Sequence, residues 1–205
     1  MTEAAFWDRI ADKYAARPVQ DQVAYEDWLS HARTLLGGEM TALEIGCGTG
    51  TTALKLAPSV GRITATDIAP RMVAIAQNKR EEQGVENVEF AVAGMGASLP
   101  DGPFDAVMAF NLLHLVRDVP AALAEIARRV KPGGVFLSKT GLIGEAAFFI
   151  RTMIGVMRLF GKAPFVNSFD GDALAGMIPE AGFEVIESRT YEGMAPTAYI
   201  AARRL

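Results

Sequence analysis

A glycine-rich run, Gly46-Cys47-Gly48-Thr49-Gly50, is the feature that most constrains the fold of this chain. A short apolar segment, 41–45, precedes the run, and a helical pattern, 51–56, follows it. Glycines between a strand and a helix permit a sharp turn and let the backbone approach a ligand closely. Because the turn also ends at a helix N-terminus, its amides favour an anionic group. The sequence therefore predicts a strand–turn–helix unit that binds a ligand.

Helical and strand-like patterns alternate along the rest of the chain, which is typical of a parallel sheet with helices on both faces. The last two strands lie too close together for a helical crossover, so we expect them to pair antiparallel. The pattern predicts helices over 3–16, 21–36, 51–56, 70–83, 119–130, 141–161 and 170–181, and strands over 41–45, 62–67, 87–93, 104–110, 135–140, 183–188 and 195–202.

An acid ends the second predicted strand. Asp67 lies about twenty residues after Gly46, where an acid can accept hydrogen bonds from ribose hydroxyls. Two ligand classes fit, a dinucleotide and S-adenosylmethionine (SAM). The third glycine comes one residue too early for G-x-G-x-x-G, and Glu44 would repel a pyrophosphate. Both features favour SAM, with an oxidoreductase using NAD or NADP as the alternative.

Several segments, in order, resemble the class I SAM-dependent methyltransferases, in the branch similar to ubiquinone/menaquinone and small-molecule methyltransferases. They are 6–14, 43–50, 67–72, 99–100, 104–107 and 131–134. The resemblance implies a Rossmann-like fold, with a seven-stranded, mostly parallel sheet, an antiparallel last strand and an N-terminal helical cap. It implies SAM as cofactor, bound by Tyr14, Glu44, Gly46, Cys47, Gly48, Asp67, Ile68, Met72, Gly94, Met95, Gly96 and Asn111.

The chain departs from the family pattern after the third predicted strand. Met95 occupies the position where the family usually has an acid that accepts from the adenine amino group. We expect backbone groups of residues 94–96 and apolar contacts to hold the base instead. The departure leaves a non-catalytic SAM-binding protein as a further alternative.

Methyl transfer from SAM requires alignment of the acceptor more than a catalytic side chain. For an acceptor with a high pKa a general base would help, and His114 is the best-placed candidate, ahead of Tyr14 and Tyr191. The alternative is that His114 only packs beside the site. Cys47 is interpreted as a small residue of the turn. The segment 111–114 lacks the prolines of an N/D-P-P-Y motif, which argues against a nucleic-acid substrate.

Composition excludes several classes of protein. The net charge of −4 offers no general attraction to nucleic acid. One cysteine and two histidines leave no internal disulfide and little for a metal, so we expect none. Because the N-terminus has no secretory pattern and no apolar run reaches about 18 residues, we expect a cytoplasmic protein. We divide its single domain into a helical cap (1–38), a cofactor-binding core (39–141) and substrate-side elements (142–205).

The apolar segment 142–162 has three interpretations: a core helix or lid over the acceptor pocket, which we favour, a dimer surface, or a membrane contact. Its methionines and phenylalanines favour a small, hydrophobic methyl acceptor. The protein is then a monomer or a homodimer.

Overall fold

The computed structural model describes residues 2–96 and 99–205, which form seven α-helices and seven strands. The helices are α1 (Glu3–Ala15), α2 (Gln22–Thr34), α3 (Thr51–Leu56), α4 (Pro70–Gln83), α5 (Val119–Arg129), α6 (Phe148–Leu159) and α7 (Gly171–Glu180). The strands are β1 (Thr41–Ile45), β2 (Arg62–Asp67), β3 (Val88–Val92), β4 (Phe104–Phe110), β5 (Val130–Gly141), β6 (Phe183–Tyr191) and β7 (Thr197–Arg204).

All seven strands form one sheet in the order β3-β2-β1-β4-β5-β7-β6. Strands β1 to β5 pair parallel with one another, and β7 pairs antiparallel with both β5 and β6. The predicted seven-stranded, mostly parallel α/β fold with an antiparallel last strand is confirmed. Since β1 and β4 lie side by side, the strand order reverses there, and a ligand site is expected beyond their carboxyl ends.

Two apolar clusters cover the two faces of the sheet. Trp28 and Leu29 of α2 pack on one face with Phe110 and Tyr199. Helices α5 and α7 pack on the other face, where Leu123 belongs to the same cluster as strand residues of β1 and β5. A third, small cluster joins α1 to α4. Helix α1 is therefore attached to the fold mainly through α4.

The predicted helix over 141–161 is wrong in its first part. Strand β5 continues to Gly141, which pairs with Thr197. The next residues are held by the β6–β7 connection, because the Leu142 and Ala147 amides donate to carbonyls of that connection at 2.8 and 2.9 Å. These tertiary hydrogen bonds override the helical pattern until Phe148.

Helix α6 buries none of its residues, so its interpretation as a core helix is also wrong. Among the described helices, none is long and apolar enough to cross a membrane. The other boundary differences are small, the largest being at β5, which begins at Val130 rather than at residue 135.

Candidate active site

The glycine turn after β1 has the backbone geometry that its sequence predicts. Gly46, Gly48 and Gly50 have φ values of 73°, 53° and 75°, in the left-handed region that favours glycine. A Cβ on Gly50 would lie 2.6 Å from the Phe90 ring, and one on Gly46 would lie 2.9 Å from Leu112. The turn thus combines positive φ with close packing and leaves an open, backbone-lined edge above β1.

Asp67, at the end of β2, is bound to this turn. One carboxylate oxygen accepts from the Gly48 amide and the other from the Ala69 amide, both at 2.9 Å. Burial raises the pKa of Asp67, while these backbone hydrogen bonds act in the opposite direction. Each oxygen has a second lone pair, so the carboxylate can also accept from two ligand hydroxyls.

Glu44 is the most buried acid of the site, with 1% of its surface exposed. Its Oε2 has no hydrogen-bond partner among the described residues. Burial, with a smaller contribution from the charge of Asp67, raises the pKa of Glu44 to about 8. A buried carboxyl group without a partner suits a cationic ligand, which would compensate its desolvation.

One cavity of about 1270 Å³ opens over the carboxyl ends of β1 and β4. That volume exceeds the roughly 300–1,000 Å³ of a typical single-ligand pocket and can hold a cofactor together with a second molecule. Eleven of the twelve residues predicted to bind the cofactor line it, namely Tyr14, Glu44, Gly46, Cys47, Gly48, Asp67, Ile68, Met72, Gly94, Met95 and Asn111.

Gly96 is the predicted residue that the structure does not place in this lining. Its amide donates to both oxygens of Glu125 on α5, at 3.0 and 3.2 Å. The amide is thus directed away from the cavity, which argues against a contact with adenine. Met95 lies in the cavity wall and also packs against the core on the α5 face.

The cavity continues past the glycine turn into a region lined by aromatic and apolar side chains. Its walls there include Tyr25, Trp28, Phe110, Leu112 and Tyr191. Lys139, at the carboxyl end of β5, lies in the same wall. Sequence reasoning missed Trp28 and Lys139, because their places in the cavity depend on the packing of α2 and on the register of β5.

His114 does not support a role as general base. Its Nδ1 lies 2.9 Å from the Thr140 hydroxyl and accepts from the Gly141 amide at 3.2 Å. Burial, with a smaller contribution from Lys139, lowers the pKa of His114 to about 4. The described cavity lining includes neighbours of His114 but not His114 itself. These contacts favour the alternative that His114 packs beside the site.

Of the other candidate side chains, Tyr191 and Cys47 are poorly suited to catalysis, and Tyr14 lies at the edge of the site. The Tyr191 hydroxyl donates to Asp27 at 2.7 Å, and burial together with this hydrogen bond raises the pKa of Tyr191, so it is a poor base. Burial raises the pKa of the Cys47 thiol well above its usual value, which disfavours a nucleophilic thiolate. Tyr14, of which 44% is exposed, places its ring over Gly48 at the rim of the cavity.

Asn111 follows β4 with a φ of 55°, a conformation that asparagine adopts more readily than most residues. Its backbone N–H donates to the Lys139 carbonyl at 2.6 Å, so the ends of β4 and β5 are joined at the cavity. No group of three or more metal-ligating side chains occurs within residues 2–96 and 99–205.

Comparison with known proteins identifies the family. A family described as "Methyltransferase domain" matches residues 42–134, the segment that contains the glycine turn, Asp67 and Asn111. A demethylmenaquinone methyltransferase of Geobacillus is 31% identical over 172 residues, covering 73% of this chain and 73% of that protein. The chain belongs to the class I SAM-dependent methyltransferases.

A second curated relative and a solved structure are also similar to this chain, the structure in its fold. An uncharacterized methyltransferase, YcgJ, of Bacillus subtilis is 40% identical over 101 residues, and the match spans 48% of this chain and 40% of that protein. The structure of a geranyl diphosphate C-methyltransferase from Streptomyces coelicolor has a TM-score of 0.74 at 14% identity, covering 90% of this chain and 79% of that one. Fold, methyl donor and reaction class, as expected from the sequence, are confirmed.

Proposed function

We propose that this methyltransferase transfers the methyl group of SAM to a small, hydrophobic molecule that carries an aromatic ring. One observation carries the proposal: a single cavity joins the glycine turn and Asp67 to a wall of aromatic side chains. Two ligands bound in such a continuous cavity can place an acceptor atom directly against the methyl carbon, with water excluded.

The residues at the methyl-donor end fit SAM. SAM supplies a methyl group activated by a sulfonium, next to an ammonium and a carboxylate. We assign the backbone at Gly46 and Gly48 to the methionine part and Asp67 to the ribose hydroxyls. The buried Glu44 carboxyl fits the positive charges, which a pyrophosphate lacks.

The remaining contacts at this end follow from their places in the lining. Ile68 and Met72 would flank the adenine. A Cβ on Gly94 would lie 2.1 Å from the Ile68 side chain, so glycine at this position lets Ile68 keep its place in the wall. The Asn111 side-chain carbonyl is assigned to the ammonium. Tyr14, over Gly48, would close the edge of the site.

The acceptor end supports a hydrophobic, ring-containing acceptor. Trp28 and Phe110 present ring surfaces in contact with each other, with centroids 4.7 Å apart. The curated relatives point the same way, because they include proteins named demethylmenaquinone methyltransferase and ubiquinone biosynthesis O-methyltransferase, and quinones carry a ring. With His114 and Tyr191 held in other hydrogen bonds, alignment of the two ligands accounts for the reaction.

Helix α6 has an apolar surface with no role inside the cavity. Phe148, Leu159 and Phe160 are 82%, 85% and 73% exposed, and none of residues 142–162 is in the described lining. In this arrangement α6 is open to contact with a second copy or with a membrane surface, and it would have to move to act as a lid.

Calorimetry with SAM, S-adenosylhomocysteine, NAD and NADP tests the methyl-donor site. We expect binding of the first two only; binding of NADP without SAM would overturn the proposal. Radiolabelled SAM offered with fractionated metabolite and lipid extracts then tests the acceptor. Label is expected in an apolar aromatic product. SAM binding without transfer to any fraction would instead support the non-catalytic alternative.

A further inference from the structure

Lys139 is a cation at the acceptor end of the cavity. It lies near the carboxyl end of β5, between Phe110 of β4 and Tyr199 of β7, its register partners. Its side chain makes no hydrogen bond or ion pair with the described residues, although it lines the cavity and is only partly exposed. Two other cations of the same lining are paired, Lys55 with Glu26 and Arg117 with Glu3, whereas Arg17 lies exposed without an ion pair among the described residues.

A second unpartnered polar group lies in the same wall. The Trp28 indole is 1% exposed, and its Nε1 has no acceptor among the described residues. Trp28 contacts Phe110 at 4.7 Å and Tyr199 at 6.3 Å between ring centroids, and these are the two register partners of Lys139. An indole N–H is a donor only, so an acceptor atom is missing from its surroundings.

None of the charged groups described near Lys139 forms an ion pair with it, so an anionic ligand can be its partner. Burial lowers the pKa of Lys139, and the carboxylate of Asp21 acts in the opposite direction. Asp21 accepts from the Ala24 amide as the N-cap of α2 and forms no ion pair with Lys139. The His114 ring, with its low pKa, is neutral at physiological pH and so does not compete as a cation.

We propose that Lys139 and the Trp28 N–H together bind an ionised oxygen carried by the aromatic ring of the methyl acceptor. This inference rests on the proposed function and specifies the substrate class as phenol-like. On binding, the hydroxyl O–H bond breaks, its proton leaves to solvent, and the electron pair stays on the oxygen beside the ammonium. Lys139 keeps its own proton. The site thereby activates a hydroxyl without a general base.

A chromophoric phenol tests the assignment without any turnover. 4-Nitrophenol is titrated into the protein with and without saturating S-adenosylhomocysteine, and its visible spectrum reports the ionised form. We expect the bound probe to be ionised at a pH where the free probe is mostly neutral. Lys139→Met should weaken its binding tenfold or more, as for a lost hydrogen bond between charged groups, and Lys139→Arg should restore part of it. Trp28→Phe should cause a smaller loss.

Matched controls separate the possible causes of weaker 4-nitrophenol binding. Lys162→Met removes an exposed lysine outside the cavity and should leave the titration unchanged. The neutral ether 4-nitroanisole should bind wild type and Lys139→Met alike, and so should S-adenosylhomocysteine. Failure of wild type to bind S-adenosylhomocysteine would overturn the proposed function. The nitrophenol titration would still test whether Lys139 binds an ionised phenol.

Four results would overturn the inference itself. In the first two, 4-nitrophenol does not bind to wild type, or it binds to Lys139→Met with the same affinity. In the third, Lys139→Met weakens the binding of 4-nitrobenzoate, a carboxylate, but not that of 4-nitrophenol. In the fourth, Lys139→Met loses S-adenosylhomocysteine binding. The last result would assign the lysine to the carboxylate of the methyl donor.

Discussion

Replacing Glu44 by glutamine should change how the stability of the protein depends on pH. The pKa of the buried carboxyl is about 8 in the folded protein, against 4.5 as its ordinary value. Between these two values the folded state holds a proton that the unfolded state has lost. The free energy of unfolding therefore decreases as the pH rises from about 4.5 to about 8.

The size of this effect follows from the pKa difference. One pKa unit corresponds to about 1.36 kcal/mol, so a rise from 4.5 to about 8 costs at most about 5 kcal/mol at alkaline pH. Urea unfolding of the protein without ligand measures the change. The Glu44→Gln curve should decline less with pH, and the variant should gain stability over wild type above neutrality.

Glu184→Gln provides the control, because Glu184 is exposed on β6. Its pH dependence should follow that of wild type. If Glu44→Gln also follows wild type throughout, Glu44 is not a buried acid with a raised pKa, and the reasoning is refuted.

SAM provides a second measurement on the same pair of proteins. Its positive charges favour ionised Glu44, so binding to wild type near neutral pH should release a proton that binding to Glu44→Gln does not release. Calorimetry in buffers with different ionisation enthalpies counts these protons. Equal proton release by the two proteins would place the positive charges of SAM away from Glu44.

Three further substitutions test other parts of the site. Asp67→Ala should weaken SAM binding by about 1–3 kcal/mol in calorimetry, whereas Asp172→Asn, an exposed acid of α7, should not; equal affinities would remove Asp67 from the ribose site. His114→Ala should reduce the methyl-transfer rate less than the roughly 10²-fold expected for a general base; a larger loss together with an altered pH profile would restore that role. Gly50→Ala should destabilise the protein by 1 kcal/mol or more (roughly) in urea unfolding, because its Cβ meets Phe90 at positive φ.

The proposed methyl-donor end of the cavity was predictable because it depends on local sequence. The glycines at 46, 48 and 50, the strand before them and the acid ending the next strand are adjacent in the fold through one strand–helix–strand unit. Parallel pairing of β1 with β2 follows from that unit, and it places Asp67 beside the turn. Predicting this end of the cavity required little information about contacts between segments that are distant in the sequence.

The acceptor half depends on register between distant segments. Lys139 reaches the cavity because β5 pairs with β4 on one side and with β7 on the other, and Trp28 reaches it through packing of α2. The surroundings of His114 were not predictable for the same reason, since its nearness to β4 in sequence does not show that Thr140 and Gly141 hydrogen-bond to its Nδ1. The start of α6 was missed because hydrogen bonds to the β6–β7 connection, invisible in the periodicity, end the helical pattern.

The way in which α1 is attached has a consequence for exchange of the methyl donor and its product. Only Phe6 and Ala11 of this helix are buried, and much of its attachment is exposed and polar, including Arg71 with Asp12 at 2.7 Å and Arg9 with the Gly161 carbonyl at 2.7 Å. Such contacts add little stability and are screened by salt. We therefore expect α1 to detach locally while the sheet stays intact, which would make ionic strength a control on the rate of product release.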